Sequence, residues 1–148
     1  GKVVTGKQQA RKELTKVMVA HNLPYVAQTA PFKNFKDIHE KSEKAIYTPG
    51  PAFLNVLAPC PRGWRYDTPK LMEVIEFAVD SCFWPLYEVV DGKYTITYEP
   101  KNKRPITDWI EIQGRFKHIL KNEEAIKTIQ ADVDRQWEEL HQLEAMSK

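Results

Sequence analysis

The sequence predicts an α/β fold. Two short apolar runs, typical of buried strands, alternate with three stretches in which apolar residues recur at helical spacing. The order helix, strand, helix, strand, helix indicates parallel strands joined by helical crossovers. A hairpin signal and a long helical stripe follow in the second half of the chain. We therefore expect a parallel-sheet layer, followed by a β-hairpin and a helical C-terminal tail.

Two helices and two strands are predicted before the first cysteine. A helix is expected over about residues 8–21, a strand over 25–29 and a second helix over about 33–46. The near-continuous apolar run 52–58 is bounded by turn residues, which favours a central parallel strand. Both strands are expected to be buried on their two faces.

The third helix is predicted to begin at Asp67-Thr68-Pro69. The Thr68 side chain can cap the helix, and Pro69 suits the first helical position. Apolar residues then recur at the spacing of one buried helix face, and Pro85 ends the pattern. That face consists of Leu71, Val74, Ile75, Ala78, Val79 and Cys82. Cys82 is therefore expected to be a core residue.

The second half of the chain begins with a hairpin over residues 86–98, because Asp91-Gly92 favours a type I′ turn. A basic loop at 101–105 separates the hairpin from a helical stretch, 107–120, which is interrupted at Gly114. The last helix is predicted to start at Asn122. Its apolar stripe consists of Ile126, Ile129, Val133, Trp137 and Leu140.

Composition excludes several classes of protein. The 148 residues suit one domain or two small ones, and two cysteines exclude a disulfide scaffold. The 22 basic and 20 acidic residues are too balanced to indicate nucleic-acid binding. No apolar run has the length of a membrane span, and no signal peptide is visible. We therefore expect a cytoplasmic protein with no nucleic-acid or membrane partner.

Signals of catalysis are few, and Cys60 is the main candidate for chemistry. The sequence contains no phosphate-binding glycine loop, zinc motif or nucleophile elbow. The dispersed histidines, expected to be solvated, are His21, His39, His118 and His141. Cys60 directly follows the strand 52–58 and lies between two prolines, at the end of a strand where α/β sheets bind ligands. The alternative for Cys60 is a small buried apolar residue.

Five motifs occur in order along almost the whole chain, at 18–27, 50–64, 84–88, 113–116 and 123–126. The second of them ends in Ala58-Pro59-Cys60-Pro61-Arg62-Gly63-Trp64. In this order and spacing they resemble the C-terminal part of the β subunit of 2-oxoacid:ferredoxin oxidoreductases, and most closely of the pyruvate enzymes. The family's Gly-Asp-Gly motif and three of its cysteines are not in this sequence.

The resemblance implies a domain organisation and a reaction. Residues 1–84 would be the C-terminal part of the thiamine-diphosphate-binding α/β domain, and 85–148 a hairpin with a helical extension. The family decarboxylates pyruvate or another 2-oxoacid oxidatively to acyl-coenzyme A and CO2, with ferredoxin as electron acceptor. The chain alone is expected to be inactive.

The resemblance also implies cofactors and one site residue. The intact enzyme would hold thiamine diphosphate, Mg²⁺ and a four-iron four-sulfur cluster, and Cys60 matches one cysteine ligand of that cluster. Because the other ligands are missing, this chain alone is expected to bind none of the three. No residue is assigned to catalysis or to thiamine binding. The implied partners are the other subunits and ferredoxin, and the fragment is expected to self-associate through its uncovered sheet.

A non-catalytic interaction module is the alternative function. The basic loop 101–104, together with Arg115, Lys117 and Lys121, could dock an acidic protein partner. A solvated loop and helix face explains the same charges without any partner.

Overall fold

The computed structural model describes residues 11–148, so the start of the predicted first helix lies outside the described residues. The fold is α/β, as predicted. Its elements are α1 (Leu14–Val19), β1 (Tyr25–Thr29), α2 (Lys36–Tyr47), β2 (Ala52–Val56), α3 (Pro61–Trp64), α4 (Leu71–Asp80), β3 (Tyr87–Val90), β4 (Lys93–Ile96), α5 (Ile106–Glu111) and α6 (Glu123–Met146).

The four strands form one mixed sheet in the order β2-β1-β3-β4. β1 and β2 are parallel, while β3 pairs antiparallel with β1 and with β4. β1 is central and all five of its residues are buried, as predicted. The predicted central position of β2 is wrong: within residues 11–148 it pairs only with β1, because the hairpin occupies the other side of β1. β2 is correspondingly half-exposed, and its last residue, Val56, is 40% exposed.

The local turn signals mostly match the structure. Asp91 and Gly92 both have positive φ, of 48° and 81°, as a type I′ turn requires. Asn122 caps α6, since its side-chain oxygen accepts the amide N–H of Ala125 at 3.1 Å. The prediction that Thr68 caps α4 is wrong: Thr68 opens a 3-10 turn that leads into α4, and its side chain makes no capping hydrogen bond.

Helices cover both faces of the sheet, and α6 joins the two cores. The larger core lies among α4, α5 and α6, and it contains Ile75, Val79, Cys82, Ile106, Ile110 and Val133. The smaller core contains Val26, Tyr87, Val89 and Leu140. Val133 and Leu140 lie two helical turns apart on α6, so a single helix contributes to both cores.

A buried ion pair attaches α2 to the sheet. The ammonium group of Lys41 is 2.9 Å from the carboxylate of Asp37, and it donates to the carbonyl of Gln28 at 2.9 Å and to the hydroxyl of Thr97 at 2.8 Å. The hydroxyl of Thr29 also donates to Asp37, at 2.6 Å. Lys41 is only 1% exposed, and this burial lowers its pKa from 10.5 to about 8.

The lowered pKa predicts a pH dependence of stability. Between the folded pKa of about 8 and the unfolded value of 10.5, the unfolded chain carries a proton that native Lys41 has lost. Through Lys41, raising the pH across this range therefore favours the native state. We expect this gain, on the order of 2 kcal/mol in the free energy of unfolding, to disappear in Lys41→Met.

Urea unfolding of both proteins at several pH values between these limits measures the effect. Lys36→Met is the matched control, since the Lys36 side chain is 69% exposed and on the same helix. An identical pH dependence in the wild type and Lys41→Met would contradict the prediction.

Candidate functional site

Cys60 lies where the sequence predicts it, just beyond the carboxyl end of β2. It precedes α3 with an extended backbone, and Pro61 is the first helical residue. Its Sγ accepts the amide N–H of Gly63 at 3.4 Å. Cys60 is exposed, so the alternative of a small buried apolar residue is wrong.

Four hydrogen bonds hold the backbone around Cys60. The amide of Leu57 donates to the carbonyl of Thr29 at 3.0 Å, which attaches the start of the loop to the end of β1. The Tyr66 hydroxyl donates to the carbonyl of Pro59 at 3.0 Å. The amide of Trp64 donates to the carbonyl of Cys60 at 2.9 Å, and that of Tyr66 to the carbonyl of Pro61 at 3.2 Å. The thiol is therefore presented on a fixed loop.

Gly114 attaches this loop to the C-terminal half of the chain. Its amide donates to the carbonyl of Arg65 at 2.8 Å, directly after α3. A Cβ atom at position 114 would lie 2.8 Å from that same oxygen, so only glycine fits without a shift. The sequence pattern indicates that Gly114 interrupts a helix, but it does not show this contact with Arg65. The one-turn helix α3 was also missed, although a proline after the cysteine is a usual helix start.

The arrangement suits a single metal ligand. The Cys60 sulfur is exposed and accepts an amide N–H, and cysteine sulfurs are the usual ligands of iron–sulfur clusters. Within residues 11–148, no group of three or more His, Cys, Asp or Glu side chains could hold a metal ion. Cys60 is therefore not part of a complete metal site in this part of the chain, and neither thiamine diphosphate nor Mg²⁺ is assigned to any residue of it.

Cys82 has the opposite environment. It is 3% exposed in the core beneath α4, as predicted. Burial raises the pKa of its thiol to about 12, so the sulfur stays protonated and is a poor ligand.

Within residues 11–148, the histidines and the cations of the basic loop do not form a second site. His21, His39 and His118 are exposed, as expected of solvated side chains. His141 packs edge-on against Trp137, with ring centroids 4.5 Å apart. In the basic loop, Lys103 pairs with Asp134, and Arg104 pairs with Asp108 at 3.0 Å and approaches Asp80 at 4.0 Å. Two of the loop's three cations are thus paired with this chain's own carboxylates, which weakens the case for an acidic partner.

None of the helices within residues 11–148 is both long and apolar enough to cross a membrane.

Known proteins match the chain over nearly its full length. Pyruvate synthase subunit PorB of Thermotoga maritima is 38% identical over 151 residues, which cover 100% of this chain and 46% of that subunit. PorB of Methanosarcina barkeri is 40% identical, over 90% of this chain and 46% of its own length. Ketoisovalerate oxidoreductase subunit VorB of Pyrococcus furiosus is 38% identical, over 93% and 44%. The chain spans about half the length of these relatives, and no protein-family model matches it.

The close approach at Gly114 predicts the effect of a single methyl group. Gly114→Ala would force Arg65 and α3 away, at a cost of about 1–3 kcal/mol in the free energy of unfolding. Because α3 holds the Cys60 loop, the Cys60 thiol should also react faster with a disulfide reagent. Gly63→Ala is the control for stability only, because its Cβ would have an ordinary contact, at 3.6 Å, but with Sγ itself. Thiol reactivity is compared with the wild type. A Gly114→Ala variant that is as stable as Gly63→Ala and no more reactive than the wild type would contradict the prediction.

Proposed function

The chain belongs to the family of the PorB and VorB subunits, the β subunits of 2-oxoacid:ferredoxin oxidoreductases, and we propose that it forms the C-terminal part of such a subunit in an enzyme that acts on pyruvate. The enzyme would convert the 2-oxoacid and coenzyme A to acyl-coenzyme A and CO2, and pass two electrons to ferredoxin. Pyruvate is proposed because of the resemblance to the PorB relatives, which are 38% and 40% identical, and ketoisovalerate is the competing substrate because a VorB relative is 38% identical.

The role proposed for Cys60 is to supply one thiolate ligand to a four-iron four-sulfur cluster. When bound, such a cluster accepts and releases single electrons. The observation that carries this proposal is the exposed Sγ on a fixed loop, which accepts the amide N–H of Gly63. Amide hydrogen bonds to ligand sulfurs are among the features that set cluster potentials. The remaining ligands would come from outside this sequence.

We also propose a role for each of the two parts of the chain. Residues 1–84 would complete the thiamine-diphosphate-binding domain, and 85–148 would form an extension. The two parts share a sheet, since β3 pairs with β1. The chain alone would be inactive, because no residue of it is proposed as a catalytic acid or base. Its proposed partners are the other subunits of the enzyme.

Replacing the two cysteines separately tests the role of Cys60 in the intact enzyme. Cys60→Ala removes one of four bonds to the cluster, so the complex should lose iron and its electron transfer to ferredoxin should fall steeply. Cys82→Ala should leave the cluster intact and cost about 1 kcal/mol of packing free energy or somewhat more. Iron content and low-temperature paramagnetic resonance of both purified complexes measure the difference. A complete, normally reducible cluster in Cys60→Ala would show that Cys60 is not a ligand.

The two edges of the sheet support the proposed self-association of the isolated chain. At the β4 edge, the amide of Tyr94 donates to the Ser147 hydroxyl at 2.9 Å, and that of Ile96 to the Glu144 carboxylate at 2.7 Å. Side chains of α6 therefore occupy that edge. Within residues 11–148, no strand or side-chain cap covers the outer edge of β2, and exposed edges of this kind pair with other strands.

Light scattering should therefore detect a dimer or larger species of the isolated chain at high concentration. Val56→Lys places a charge on the β2 edge and should restore the monomer. Val90→Lys is the control, because Val90 has a similar exposure, 42%, but lies beside the hairpin turn. A wild-type chain that stays monomeric, or an association unaffected by Val56→Lys, would contradict the prediction.

A further inference from the structure

A cavity of about 600 Å³ lies between α5, the turn Gly114–Phe116 and α6. Its volume is typical of a site for a small molecule. One part of the lining is aromatic, formed by Phe83, Trp109 and Phe116. The helix α6 contributes two aliphatic side chains and three polar ones, namely Ile129, Val133, Thr128, Asp132 and Gln136. Phe83 and Trp109 stack on each other with their ring centroids 4.0 Å apart, so they present ring edges rather than a shared face to a third group. Edge-to-face packing of aromatic rings is favourable, so the face of a flat aromatic group could lie against these edges.

Arg115 gives the cavity a positive charge. Its guanidinium lies 3.9 Å from the ring centroid of Trp64 and 4.5 Å from that of Phe116, so its faces are covered by rings. Its Nε–H donates to the side chain of Gln113 at 2.8 Å. No carboxylate of residues 11–148 lies within 4.0 Å of it, and burial lowers its pKa. Within residues 11–148, the Nη groups of Arg115 have no hydrogen-bond acceptor, so they can donate to an acceptor on a bound ligand.

The other charged groups of the cavity do not compensate Arg115. Arg11 lies over the ring of Phe83, 4.8 Å from its centroid, and pairs with Glu13 at 3.1 Å. Asp132 is held by Arg135 and by the side-chain amide of Gln136, at 2.7 Å. The cavity therefore combines two guanidinium groups with one carboxylate that already has a cationic partner.

We propose that this cavity binds a small anion that carries a flat aromatic ring, with the anionic group on the Nη edge of Arg115 and the ring against Phe83 and Trp109. The guanidinium edge suits a carboxylate, sulfonate or phosphate, because each offers two acceptor oxygens in one plane. This site does not depend on the role proposed for Cys60, since none of the cavity residues belongs to the Cys60 loop.

Calorimetry and fluorescence with anilinonaphthalene sulfonate, a sulfonated aromatic dye, test the proposal on the chain as it exists. One dye should bind per chain, and the affinity should fall as salt is added. Arg115→Gln should weaken binding about tenfold or more, since a charge-assisted hydrogen bond is lost. The uncharged analogue phenylnaphthylamine should bind the wild type and Arg115→Gln equally.

Two tryptophan variants locate the bound dye. Thr128 is exposed at the rim of the cavity, so Thr128→Trp should fill the opening and abolish binding. Lys127→Trp adds the same ring one position away, on a residue that does not line the cavity, and should leave binding unchanged. Dye binding that is unaffected by both Arg115→Gln and Thr128→Trp would overturn the proposal.

Competition separates the anionic groups that the site accepts. Phenylacetate and phenyl phosphate should each be tested for displacement of the dye. Displacement by the first assigns an aromatic carboxylate as the preferred class, and displacement by the second an aromatic phosphate. If neither compound displaces the dye, the proposed aromatic anion site is wrong. That result would not contradict the role proposed for Cys60.

Discussion

The buried end of β1 at Thr29 is the constraint on which the rest of the structure depends. Its carbonyl accepts both the amide of Leu57, at 3.0 Å, and the indole N–H of Trp84, at 2.9 Å. Its hydroxyl donates to Asp37, which holds the buried Lys41. One residue thus joins the exit of β2, the segment before the hairpin and α2. Because Thr29 is fully buried, losing any of these partners would leave a polar group without compensation.

The same constraint sets the position of Cys60. Leu57 is fixed to β1, Pro59 is held by Tyr66, and Gly114 holds the residue after α3, so the loop is tied to the sheet at one end and to the C-terminal half at the other. A thiol held in this way loses little conformational freedom when it binds a metal. The fold therefore holds in place the thiol that we propose as a ligand, while residues 11–148 contain no group of three or more side chains that could hold a metal ion.

Features governed by neighbouring residues could be predicted from the sequence. The Asp91-Gly92 turn, the Asn122 cap and the burial of Cys82 each follow from a local pattern, and all three are present. The order of strands could not be predicted, because it depends on which distant strand pairs with the free side of β1. The apolar run of β2 therefore indicated a central strand, although within residues 11–148 it lies at an edge.

The candidate site was predictable only in part, for the same reason. The position of Cys60 after a strand was visible in the sequence, but the contact of Gly114 with Arg65 joins residues far apart in the chain. The aromatic cavity also brings together residues that are far apart in the chain, namely Arg11, Trp109 and Asp132.

The most direct test of the central claim is a high-resolution structure of the intact complex. We expect the Cys60 sulfur to be bonded to an iron of a four-iron four-sulfur cluster, and the conformation of the loop 57–66 to be unchanged. A cluster whose four ligands all come from other residues would contradict the proposed role of Cys60.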